Sequence, residues 1–370
     1  MSGSSDDQSI FNPRRLALAR RRRGLKKTEL AAAVGVEPRS LVNYEAGQRP
    51  KAEILRRLSG VLDFPEEFFF GEDIEEIDSA TVSFRSMARM SASQQEQARG
   101  QGALCVHLNS WFAKRFGMPL ASIPQIRLDA PEEAASMVRA EWGLGAHPIP
   151  DMIQLLESKG VRVFSLSVKA REVDAFSMWK DDTPFVMLNV QKSCEHSRFD
   201  AAHELGHLVM HRHGSPAGKE AEFEANRFAS AFLMPAQDVR AYARPNPGIR
   251  ALMQWKRRWG VSIAALNYRM HQLGLTTDHY YRQLCIQISR AGARTSEPNG
   301  LPRERSTLLD KMLRILAADG VTRTDIARDL SISVAELDEM MFGLTMTAIA
   351  GKRSTPAPER KASTKLHLVR

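Results

Sequence analysis

The chain has 370 residues, 43% hydrophobic and 26% charged, with 23 Gly and 18 Pro, a globular composition that excludes fibrous, collagenous and wholly disordered classes. Lys and Arg number 52 against 43 Asp and Glu, a net charge of +9, which favours a polyanionic partner only where the excess is clustered. Three widely separated cysteines, Cys105, Cys194 and Cys285, argue against a disulfide framework or zinc ribbon and fit a reducing cytoplasm. The opening MSGSSDDQSI lacks the apolar core of a signal peptide, and no run of 18 apolar residues occurs, so neither secretion nor membrane spanning is expected.

After a disordered start (1–9), residues 14–27, RRLALARRRRGLKK, carry eight basic side chains in fourteen positions. Behind them Leu16, Leu30, Val34, Leu41, Leu55, Leu58 and Leu62 recur among polar breaks, predicting a small all-α domain over 10–70. Within it, Glu29 to Glu45 fits two short helices around a tight turn. Gly35 can adopt the left-handed conformation that ends the first helix, and Pro38 is preorganised for the first turn of the second. Leu41 and Tyr44 then face the core, leaving Arg39, Ser40 and Asn43 pointing outward, where Arg can bond guanine and Asn adenine in the major groove. Arg21 and Lys27 are the expected phosphate contacts.

The acidic stretch Glu72 to Asp78 marks a solvated linker over 71–92. Residues 93–160 read as helical. VRVFSL (161–166), AFSMW (175–179) and FVMLN (185–189) predict three strands, followed by helices from Arg198 to His211 and from Lys219 to Met234, the latter stopped by Pro235. This makes 93–244 an α+β domain. A helical extension over 245–288 is hinged at Gly260, with Ser262 as N-cap. A linker (289–304), a C-terminal helical domain (305–345) and a disordered basic tail (346–370) complete an α+β multidomain chain. No tandem repeat of fixed period is visible.

The richest chemistry lies in His203-Glu204-Leu205-Gly206-His207. On a helix the two histidines stand about 40° apart and about 6 Å along the axis, so both imidazoles can reach one ion. Glu204 beside them is placed to take a proton from water activated by that ion. A third ligand is required. His213 has a spacing used by metzincins, but where those enzymes turn at a glycine this chain has Met210, which would let the helix run on and carry His213 away. Glu222 is preferred: it stands four before Asn226, so both share a helix face and Asn226 could hydrogen-bond a ligand. Glu224 points roughly 200° away. Tyr242, Arg198 and His213 are unranked candidates for stabilising an oxyanion. His211 is expected to cap helix carbonyls, and Cys194 to be an ordinary buried thiol.

Two resemblances sharpen these expectations. Glu29 to Pro50 resembles the helix-turn-helix of the XRE (Cro/C1-type) repressors over about residues 10–70, implying binding to a double-stranded DNA operator, with a homodimer on a palindrome compatible with the motif class. FDAAHELGHLVMH (199–211) and EFEANRFASAFLMP (222–235) resemble the ImmA/IrrE metallo-endopeptidases, a likeness covering about residues 130–290. It implies a zincin-like domain holding Zn²⁺ through two histidines and a later Glu, acting on a protein substrate that is often a helix-turn-helix repressor. The expected function is therefore a transcriptional regulator whose zinc endopeptidase domain cleaves a repressor-type protein or its own chain. The competing expectation is a transcription factor whose zincin domain only senses a metal, ligand or partner. Glu204 counts against it, because a binding-only domain needs no general base.

Overall fold

Asn12 opens the first helix: its Oδ1 accepts the backbone N–H of Arg14 at 2.9 Å, and Pro13 fills the first turn of α1 (Pro13–Arg22), where a missing N–H costs nothing. The computed structural model describes residues 10–77, 91–126, 130–166, 175–212, 218–292 and 297–345. The ends expected to be disordered, 1–9 and 346–370, lie outside the described residues, as do part of the 71–92 segment and His213. After α1 come α2 (Lys27–Val34), α3 (Pro38–Glu45), α4 (Ala52–Leu62) and a 3₁₀ turn (Glu66–Phe70). Gly35 takes φ +70° between α2 and α3, and Pro38 stands at the start of α3. Leu16, Leu30, Val34, Leu41, Leu58 and Leu62 are all buried beneath them.

The acidic stretch expected to be a solvated boundary is exposed, and its carboxylates also pair with cations elsewhere in the chain. Asp73 pairs with Arg14 at 2.7 Å, Glu76 with Arg21 at 2.5 Å, and Glu75 with Lys180. These carboxylates answer the dense run of arginines on α1, which would otherwise repel one another. The long helix α5 (Ala92–Ala113) also lies on α1. Its Gly100 allows this, since a Cβ there would stand 3.1 Å from Arg22 Cα.

Next come α6 (Pro131–Glu141), α7 (Met152–Ser158), β1 (Arg162–Ser165), β2 (Ala175–Lys180) and β3 (Thr183–Leu188). The strands form one sheet in the order β1-β3-β2, with β1 parallel and β2 antiparallel to β3. Phe176, Met178, Phe185, Met187 and Leu188 are buried in it. The two-residue β2–β3 hairpin turns at Asp181, whose φ is +52°, the left-handed geometry that suits such turns. Against the sheet packs α8 (Cys194–Met210), and against α8 packs α9 (Lys219–Leu233), which ends before Pro235 as expected. Helix α8 begins four residues earlier than Arg198 because the Ser193 side chain caps it, accepting the His196 N–H. It also stops at Met210, so the expectation that the helix would run on past Met210 is corrected.

Then follow α10 (Ala236–Tyr242), α11 (Ile249–Trp259), α12 (Ile263–Gln272) and α13 (Asp278–Arg290). Gly260 is left-handed between α11 and α12, and Ser262 caps α12. The C-terminal region is α14 (Thr307–Ala318), α15 (Arg323–Asp329) and α16 (Val334–Met341). The α15–α16 pair repeats α2–α3 residue by residue. Ile326, Ala327, Leu330 and Leu337 are buried as Leu30, Ala31, Val34 and Leu41 are. Ser331, with φ +54°, stands for Gly35. Ile332 N–H returns to Ala327 O at 2.9 Å, as Val36 N–H returns to Ala31 O at 3.0 Å. The second pair differs in carrying acids where the first has Ser40 and Asn43: buried Glu336 pairs with Arg22 at 2.6 Å and Arg23 at 2.7 Å, and Glu339 pairs with Arg22 at 2.6 Å.

Glu157 on α7 fastens this region to the sheet domain. It accepts the Ser306 hydroxyl and, at 3.0 Å, the Leu308 N–H at the start of α14. Burial pushes its carboxyl up to about 7, against the pull of those donors. A carboxyl whose pKa is higher folded than unfolded contributes stability that is full below the unfolded value and is lost as pH rises toward 7. Chemical denaturation should show the wild type losing on the order of 3 kcal/mol more than Glu157→Gln between about pH 4 and pH 8. Parallel profiles would contradict this account of the contact.

Candidate metal centre

His203, Glu204 and His207 lie on the buried middle of α8, and Glu222 and Asn226 lie one turn apart on α9. What brings the helices together is Gly206. A Cβ there would sit 3.1 Å from Phe228 Cδ1 and 3.3 Å from Ala225 Cα, so the α9 backbone crosses where α8 has no side chain. Ala221, Ala225 and Ala229, all buried, give α9 a matching narrow face. Small residues on both sides let backbones approach closely, and the ligands flank the crossing.

The donor atoms converge. His203 Nε2 and His207 Nε2 are 3.1 Å apart, His207 Nε2 and Glu222 Oε1 3.2 Å, and His203 Nε2 and Glu222 Oε2 3.6 Å. Among the described residues these three are the group able to hold a metal ion. Ligands at 2.0–2.1 Å around a tetrahedral ion stand about 3.3 Å from one another, and two imidazoles with one carboxylate are a donor set that suits catalytic zinc with a position open. The residues present therefore fit zinc. Burial opposes charge on His203, yet Glu222 and Glu204 raise its pKa above the usual histidine value; burial lowers that of His207. Burial would raise the Glu222 carboxyl, but the two histidines hold it well below the usual carboxylate range. The acid is thus poised as an anion between two imidazoles.

Around these ligands stands a ring of supporting groups. Asn226 Oδ1 is 3.3 Å from His203 Nδ1, while its Nδ2 donates to Glu222 O at 2.8 Å. On the other histidine the structure corrects the sequence reading. His211 does not spend its ring on helix carbonyls: its Nδ1 is 2.9 Å from His207 Nδ1 and its Nε2 2.9 Å from Glu224 Oε2. With His207 Nε2 turned to a metal, its Nδ1–H donates to His211, and His211 Nε2–H donates to the Glu224 carboxylate. Such outer bonds fix the tautomer and ring orientation of a ligand. The signal was available in the spacing, since His203, His207 and His211 recur every four residues on one helix face.

Glu204 has a partner that sequence reading missed. Ser177 on β2 donates its hydroxyl to Glu204 Oε2 at 2.6 Å, tying the carboxylate to the sheet. Of the oxyanion candidates, Arg198 is buried in a different cluster. It pairs with Glu304 and donates to the carbonyls of Ile149 and Trp259. Tyr242 packs edge-on against Trp255 and Trp259 on α11. Neither joins the metal cluster. Cys194 is buried, and its thiol is pushed up to about 11 by burial.

On the DNA-reading module, Arg39 and Asn43 are exposed on α3, Ser40 is half-buried, and Leu41 is buried with Tyr44 packed partly against the core. The expected phosphate contacts are less free. Arg21 is held by Glu76 and, at 3.7 Å, Glu96, and Lys27 pairs with Glu45 at 3.0 Å. The basic run is thus largely neutralised within the chain.

Two substitutions test the ring of support without touching a ligand. Glu224→Gln should weaken zinc binding about 10–100-fold in a chelator competition. Gly206→Val, by pushing Ala225 and Phe228 away, should also weaken it, with the DNA-reading module still folded by circular dichroism. Unchanged zinc affinity in both would contradict this construction of the site.

Comparison with known families agrees with the geometry. The family model for the IrrE N-terminal-like domain of the M78 peptidases matches residues 156–271, and the helix-turn-helix model matches residues 16–69. No curated protein matches the chain significantly. No helix among the described residues is long and apolar enough to cross a membrane. The chain joins an XRE-type DNA-binding helix-turn-helix module to an IrrE/ImmA-like, metallopeptidase-like domain in one polypeptide.

Proposed function

We propose that this regulator is a cytoplasmic zinc-dependent endopeptidase as well as a DNA binder, and that it cleaves a helix-turn-helix repressor-type protein or its own chain to relieve repression. The observation that carries the reading is the carboxylate of Glu204, buried and held by Ser177 beside the converging His203, His207 and Glu222. A domain that merely sensed a metal would have no use for a fixed base at that point.

Zinc held by these three residues would supply Lewis acidity, polarising a peptide carbonyl and acidifying water. The protein's own groups do the rest. Glu204 accepts the proton of the attacking water and passes it to the leaving amine. Ser177 keeps the Glu204 carboxylate aimed, because its hydroxyl donates to Oε2 from the neighbouring strand. Strand β2 carries Ser177 and pairs with β3 on one side only among the described residues. An extended substrate segment can therefore add to its free edge and lie across the metal site. Asn226, His211 and Glu224 hold the ligand rings in place throughout.

At the other end of the molecule, α3 presents Arg39 and Asn43 for base contacts and Ser40 beside them, with Lys27 and Arg21 as adjuncts for the phosphate backbone.

Glu204→Gln should keep bound zinc while lowering cleavage about 10²–10⁴-fold, read by mass spectrometry of new peptide termini after incubation with repressor proteins. Cleavage at the wild-type rate would refute the assignment; loss of DNA binding with no new terminus in the wild type would favour sensing. Arg39→Ala should cost about 1–3 kcal/mol of discrimination at one base pair, measured by binding to duplexes selected from a random pool. Equal affinity of the wild type for all duplexes would refute specific readout.

A further inference from the structure

About nine residues beyond Glu222 on α9, roughly 14 Å along the helix, lies a second chemical feature unconnected with the metal. A cavity of about 310 Å³ opens between α6, the end of α9, α10 and α12, with Glu132, Ser136, Arg139, Ala146, Gln237 and Arg269 among its walls. Its size is that of a pocket for a small molecule.

Two of its arginines are almost completely buried, Arg139 at 3% and Arg269 at 1% exposure. Arg139 is bonded only to carbonyls: its Nε donates to Gly145 O at 2.8 Å, Nη1 to Phe232 O at 2.5 Å, and Nη2 to His147 O. No carboxylate of the described residues forms an ion pair with it. Asp238 acts on it only at a distance and is itself committed to Arg258 at 2.7 Å. Arg269 donates from Nε to Met234 O at 3.0 Å. Its Nη1 forms an ion pair with Glu132 Oε2 at 3.2 Å, off good hydrogen-bond geometry, so that this buried donor makes no hydrogen bond. Glu132 must also serve Arg227 at 2.8 Å, so one carboxylate is shared between two guanidiniums.

A buried cation without an adjacent counter-charge, as Arg139 is, is costly, and Arg269 has only a share of Glu132; proteins retain such cations where something else supplies the anion. The planar forks of arginine match carboxylate and phosphate oxygens. We infer that this cavity is a binding site for a small organic anion carrying a carboxylate or phosphate group, engaged by Arg269 and Arg139, with Ser136 and Gln237 offering further hydrogen bonds and Ala146 an apolar wall. The site is independent of the proposed peptidase reading, since none of its residues belongs to the metal cluster.

The test is a thermal-shift titration of the zinc-loaded full chain with inorganic phosphate and, separately, with succinate, at constant ionic strength set by chloride. At least one anion should raise the melting temperature saturably. Preference for phosphate identifies a phosphate ester as the occupant class, and preference for succinate a carboxylic acid. Gln237→Glu, which adds a negative charge at an exposed wall position without disturbing the buried arginines, should weaken that binding tenfold or more. Glu132→Gln, which removes the competing carboxylate, should strengthen it. No saturable response to either anion would overturn the inference. So would a response that survives Gln237→Glu unchanged, because the anion would then be sitting elsewhere, for instance at the metal centre.

Discussion

The crossing of α8 and α9 at Gly206 is the contact on which the chemistry rests. A helix offering two histidines at i and i+4 can present both imidazoles to one point, but a third ligand must arrive from another element at the same depth. With any side chain at position 206, Phe228 and the Ala225 backbone would have to retreat, and Glu222 would move with them. The alanines of α9 extend the same solution along the helix. A residue with no side chain at all thus governs where the Glu222 carboxylate stands.

A second constraint is electrostatic. Eight cations in fourteen positions could not be packed side by side on and around α1 without compensation, and the chain supplies it from distant segments: Asp73 and Glu76 from the stretch after the helix-turn-helix, Glu45 from α3, and Glu336 and Glu339 from α16. The last pair is informative. Helices α15–α16 have the buried pattern and turn of α2–α3, yet the positions of Ser40 and Asn43 in the first unit carry Glu336 and Glu339 in the second. Those acids grip the arginines of α1 instead. One architecture thus occurs twice in the chain, and in the second copy its acids serve as internal partners of the α1 arginines.

Much of this was legible beforehand for identifiable reasons. The left-handed Gly35 and Gly260, the Pro235 stop and the Ser262 cap are local, fixed by backbone chemistry within a few residues. The three strands were visible as β-branched and aromatic runs, and the choice of Glu222 over Glu224 followed from helix geometry alone. What stayed hidden depended on contacts between distant segments. Nothing in the string AFSMW says that Ser177 will meet Glu204, and nothing near Arg22 announces Glu336 more than 300 residues away. The ion pairs made by the exposed acids Asp73, Glu75 and Glu76 stayed hidden for the same reason: their cations, Arg14, Lys180 and Arg21, lie 55 to 105 positions away in sequence. Arg198 and Tyr242, unranked candidates for an oxyanion, are each held in another cluster in space. His211 is the exception, since its fourfold spacing was in view.

The most direct measurement of the central claim is X-ray absorption at the zinc edge of the metal-loaded full chain. The account predicts one zinc per chain with two imidazole nitrogens and oxygen donors at about 2.0–2.1 Å and no sulfur. A spectrum with sulfur near 2.3 Å, a single imidazole, or a shell of oxygens alone would contradict it.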